Sequence, residues 1–137
     1  MNERDFVAAF EACAIAAEDF HHADHVRLAW IYLGEHPLLE AIERFTTSLQ
    51  RFARHHGVPA LYHETITWAY LLLIHERMQR DGAPKDWDSF RAANADLFDR
   101  KPSILDRYYA PGTLSSDLAR RIFVLPDAVR SGSAFPG

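Results

Sequence analysis

The chain of 137 residues has a single cysteine, Cys13. That excludes an internal disulfide framework and a cysteine-built zinc ribbon, so a metal site has to use imidazole and carboxylate. No uninterrupted apolar run approaches the roughly 18 to 20 residues of a membrane span. The start, Met1-Asn2-Glu3-Arg4-Asp5, is too acidic for a signal or transit peptide, which gives the expectation of a cytoplasmic protein. A basic block is also missing. With a formal net charge of −4, the chain lacks the electrostatic footprint of a nucleic-acid-binding or anionic-membrane-binding surface.

What is present is the balance of one ordinary globular domain, 48% apolar and 25% charged, able to close a hydrophobic core. The unusual number is eight histidines, at positions 21, 22, 25, 36, 55, 56, 63 and 75. None follows His75. Residues 1–36 carry seven acids against two bases, and that acidic end holds His21, His22 and His25.

Apolar periodicity predicts helices throughout. From Glu3 to Asp19, Phe6, Val7, Phe10, Cys13, Ala14, Ala17 and Phe20 recur at three- and four-residue steps. Cys13 falls in this alanine-rich stripe and reads as a small buried hydrophobe. Asp24 is the expected cap of a second helix ending at Gly34 and Pro37. The third carries Leu38, Ile42, Phe45, Leu49 and Phe52 at strict 4-3-4-3 spacing until His55-His56-Gly57 closes it. Pro59 opens a fourth, apolar on nearly every side from Leu61 to Met78, as a central helix is. A short fifth helix starts at Asp86 or Asp88, and pieces around 104–109 and 114–123 follow, the last capped by Thr113 or Ser115. No repeat and no alternating strand pattern is seen. The expectation is an all-α fold, an irregular bundle of four main helices with short C-terminal helices packed over it, comprising one domain over 1–130 and a flexible tail over 131–137.

Two segments can carry chemistry. In Phe20-His21-His22-Ala23-Asp24-His25, both His22/His25 and His21/His25 have the spacing of one helix face. In Tyr62-His63-Glu64-Thr65-Ile66-Thr67-Trp68, a histidine, a carboxylate and two hydroxyls stand beside large core residues, and polar groups at such a place need partners. If helices two and four face each other, His22, His25 and His63, with His21 as substitute, form the ligand set of an open zinc or iron site. Glu64 would then be the fourth ligand or general base, and Tyr62 a proton donor. Zinc suits hydrolysis and iron suits oxygen chemistry.

Other metal patterns fit less well. Glu18-x-x-His21 matches the ferritin-like motif once, without a second copy, and His21-His22-Ala23-Asp24-His25 lacks the glutamate of His-Glu-x-x-His. His36, His55, His56 and His75 read as turn, helix-end or solvent residues, and Trp30, Trp68, Tyr32 and Tyr70 as core. The same polar segments also have a structural reading, in which His63-Glu64 caps helix four. The alternative function is accordingly a non-catalytic domain binding a small ligand or partner through a hydrogen-bonded histidine pocket without metal. Haem held by one axial histidine is a third option. The sequence leaves the oligomeric state open, a homodimer included.

The segments Phe20 to Trp30 and Tyr62 to Trp68, with Ala119 to Asp127, resemble a family of small, uncharacterised bacterial proteins. The resemblance implies a self-contained bacterial domain and brings no activity with it.

Overall fold

A computed structural model describes residues 2–129. The anticipated tail at 131–137 lies outside the described residues. The fold is all-α, with no strand among the described residues.

Helix α1 (Glu3–Glu11) begins where the Asn2 side chain accepts the Asp5 N–H at 2.8 Å, and it buries Phe6 and Phe10. It stops well short of Asp19, where the periodicity placed its end. Cys13 adopts φ 57, a left-handed conformation that a helix cannot contain, and it is half-buried. The chain then passes through a short 3₁₀ turn, Ala17–Asp19. Phe20 thereby returns to stack on Phe10, ring centroids 5.4 Å apart.

Helix α2 (His22–Glu35) starts two residues before the expected cap. His21 is the N-cap, and Asp24 sits in the first turn with its carboxylate accepting the His21 N–H at 2.9 Å. Helix α3 (Leu38–His55) follows its spacing closely, burying Ile42, Phe45, Leu49 and Phe52, with Gly57 at φ 73 just beyond its end. Pro59 opens a 3₁₀ turn (Pro59–Leu61) instead of the fourth helix. Helix α4 (Glu64–Gln79) starts later, capped by the His63 ring.

Asp86 caps α5 (Trp87–Ala93), as expected, and 3₁₀ turns follow at Ala95–Phe98 and Ile104–Arg107. Ser116, next to the anticipated Ser115, caps α6 (Asp117–Arg121). Helix α2 packs on both α3 and α4, and α6 lies against α4. One apolar cluster joins α1 to α5 and extends to Ile104, Leu105 and Tyr109. Arg77 of α4 clamps the 94–98 segment through Asp96 at 2.9 Å and Asn94 at 3.0 Å.

Candidate functional site

A cavity of about 580 Å³ opens among the first turns of α2, the C-terminal half of α3, the first half of α4 and the segment after α5. Its apolar side is made by Phe20, Phe45, Leu49, Phe52, Ile66 and Leu71. On its polar side stand His21, His22, His25, Tyr62 and His63, as the sequence brought together, and also Thr67, Tyr70, Arg100 and Ser103.

The histidines are not equivalent. His63 uses both ring nitrogens: Nδ1 accepts the Ile66 N–H at 3.1 Å, so Nε2 carries the hydrogen that Leu114 O accepts at 2.7 Å. It is the cap of α4 and a tie to the C-terminal segment. His22 donates from Nε2 to Leu97 O at 2.9 Å, and its ring meets the Tyr70 ring edge-on at 4.9 Å. Burial lowers the His22 pKa, the Leu97 bond opposes that, and the Arg100 charge adds to it.

His25 packs on Phe20 with ring centroids 4.3 Å apart. Burial lowers its pKa to about 4, with His22 and Arg100 pushing the same way and no hydrogen bond among the causes. His25 is therefore a neutral imidazole at pH 7, placed beside open volume. His21 is exposed at the rim, occupied in backbone capping.

Tyr62 donates its hydroxyl to Glu64 Oε1 at 2.5 Å, and burial together with that bond raises the phenol pKa. Glu64 lies off the cavity wall and holds Tyr62 instead. The neighbouring hydroxyls are likewise engaged. Thr65 donates to Ile122 O at 2.7 Å and accepts the Val124 N–H at 3.0 Å, while Thr67 donates to His63 O at 2.7 Å.

Helices α2 and α4 do face one another across the cavity. Yet no three His, Cys, Asp or Glu side chains among the described residues stand together as a metal site requires. Of the anticipated ligand set, His22 and His25 share the cavity with ring nitrogens to spare, whereas His63 would have to give up two hydrogen bonds to coordinate.

Three wall residues escaped the sequence reading. Tyr70, expected as core filler, has its hydroxyl 3.0 Å from Ser103 Oγ at the cavity. Ser103 caps the Ile104–Arg107 turn, and Arg100 pairs with Ser103 in an isolated antiparallel bridge. The last two lie in the histidine-free part of the chain, where no spacing marks them. That part also supplies the Leu97 and Leu114 carbonyls that orient His22 and His63. Trp30 and Trp68 pack as core aromatics, against Trp87 at 5.4 Å and Phe123 at 5.6 Å. Tyr32, also buried, donates to Glu11 Oε1 at 2.6 Å.

No helix among the described residues is long and apolar enough to cross a membrane. Compared with models of known protein families, with proteins of curated function and with solved structures, the chain has no match.

Proposed function

We propose that this protein binds a small molecule in the histidine-lined cavity, without chemistry of its own. The carrying observation is the cavity itself: about 580 Å³ left open among three helices and the segment after α5. Interiors are ordinarily packed to crystal density, and unfilled apolar volume costs stability. Concave, mostly apolar sites with a few convergent polar groups are the usual form of a ligand pocket, at volumes of roughly 300 to 1,000 Å³. The engaged state of Tyr62, Glu64, Thr67 and His63 supports a binding role, since each is already committed to orienting another group.

A zinc or iron site on His22 and His25 is the second reading, favoured by the proximity through which His22 bears on His25. One preparation distinguishes the two. The full chain, purified without a histidine tag, is screened by saturation-transfer NMR against a library of uncharged and charged aromatic fragments, and its metal content is measured by mass spectrometry. Fragments that bind the metal-free protein and are displaced by one another support the cavity reading. Stoichiometric metal lost in His22→Ala and His25→Ala, together with no fragment binding, would replace it with the metal reading.

A further inference from the structure

The cavity wall is one-sided in charge. Among the described residues it contains no Asp or Glu, whereas Arg100 stands on it with His22 and His25. Arg100 is exposed and forms no ion pair among the described residues. Arg100 is bridged to Ser103, whose Oγ lies 3.0 Å from the Tyr70 hydroxyl, and the Tyr70 ring meets His22 at 4.9 Å, so Arg100 stands at that end of the cavity, where its charge also bears on His22 and His25. The acids that bear on Tyr70, Asp99 and Asp106, lie off the wall, and the Asp106 carboxylate is bound to the Ser103 N–H at 3.1 Å.

An account of donors sharpens this asymmetry. The His22 Nε2–H is spent on Leu97, the His63 Nε2–H on Leu114, the Thr67 hydroxyl on His63 O and the Tyr62 hydroxyl on Glu64. Beyond the exposed ring of His21 at the rim, three donors remain. They are the Arg100 guanidinium, the one N–H of neutral His25, and one hydroxyl hydrogen of the Tyr70–Ser103 pair, since only one of the two donates across their 3.0 Å contact. A planar guanidinium with two further donors matches a carboxylate, which accepts at both oxygens. A cation would meet Arg100 and no acid, and a neutral alcohol would gain the hydrogen bonds without the charge.

We propose that the cavity selects a small monocarboxylate with an aromatic or short alkyl body, its head held by Arg100, His25 and the Tyr70–Ser103 pair. The apolar body lies among Phe20, Phe45 and Phe52. This assignment rests on the small-molecule reading above and adds the sign and kind of the head group.

Three compounds with one body and different heads test it: 4-phenylbutyrate, 4-phenylbutan-1-ol and 4-phenylbutylamine, titrated calorimetrically into the full chain at pH 7.5 and low salt. The acid should bind about tenfold more tightly than the alcohol, and the amine most weakly. Arg100 is exposed, so Arg100→Gln should keep the native circular dichroism. It should weaken the acid about tenfold while leaving the alcohol within about twofold. Alcohol binding as tight as the acid, or acid binding unchanged in Arg100→Gln, overturns the carboxylate assignment and leaves the small-molecule reading standing. Failure of all three compounds to bind the native protein overturns the carboxylate assignment, and failure of the fragment library as well overturns the small-molecule reading.

Discussion

His25 combines a stacked contact on Phe20 with a ring that burial keeps neutral well into acid. Its pKa is about 4 in the folded chain, against 6.5 for an ordinary imidazole. Between those two values the unfolded chain holds a proton that the folded chain does not, so unfolding takes up protons and stability rises with pH. The contribution is complete above about pH 6.5 and is lost as pH falls through about 4. A shift of this size corresponds to roughly 3 kcal/mol, and His22, lowered for the same reason, acts in the same direction. The lowered carboxylates Asp86, Asp96 and Asp127 matter only below their ordinary pKa of 3.8, outside this window. Urea unfolding followed from pH 7 to pH 4 should therefore show a loss of about 2 to 3 kcal/mol. His25→Phe, which keeps an aromatic ring against Phe20, should remove most of that slope. An identical slope in the variant would mean that His25 is not the group responsible.

At the scale of elements, the polar opening of α4 shows what the sequence disclosed and what it withheld. Four polar residues at the mouth of an apolar helix signalled that each needs a partner, and each has one. The partners themselves were illegible, because three are main-chain groups far along the chain: Leu114 O for His63, and Ile122 O and Val124 N for Thr65. Any residue type could supply them, so no motif marks them. The start of α1 and the whole of α3 were legible for the opposite reason, since local spacing decides which face is buried. The break at Cys13 was not, because apolar periodicity continues to Phe20 and no glycine or asparagine announces the left-handed turn. Thr65 is fully buried and bolts the segment after α6 onto α4. Thr65→Val keeps the shape and removes the donor and acceptor together, leaving two main-chain groups without their partner. It should cost about 2 kcal/mol in urea unfolding and speed amide hydrogen exchange at Val124. Unchanged exchange at Val124 would show that the segment is held by something other than this hydroxyl.

At the scale of the whole molecule, the cavity makes the bundle unequal in its response to added volume. Ile66 is half-buried on the cavity wall, whereas Leu28, with no exposed surface, faces packed core away from it. A tryptophan at either position adds the same kind of side chain to different surroundings. In packed core, overfilling forces neighbours off their rotamers and costs about 3 kcal/mol or more for so large a group. Beside open volume the ring has somewhere to go and gains contacts that the native protein lacks. Ile66→Trp should therefore stay within about 1 kcal/mol of the native chain, while Leu28→Trp loses about 3 kcal/mol or more. The narrowed cavity should also hold its ligand less well. For native protein, 4-phenylbutyrate at one hundred times its Kd should add about 2.7 kcal/mol, a rise in Tm of roughly 10 °C for a chain of this size. In Ile66→Trp that rise should shrink to less than half, although the protein remains folded. Equal destabilisation by the two tryptophans would mean that the volume beside Ile66 is not available, and a full thermal shift retained in Ile66→Trp would place the ligand elsewhere on the molecule.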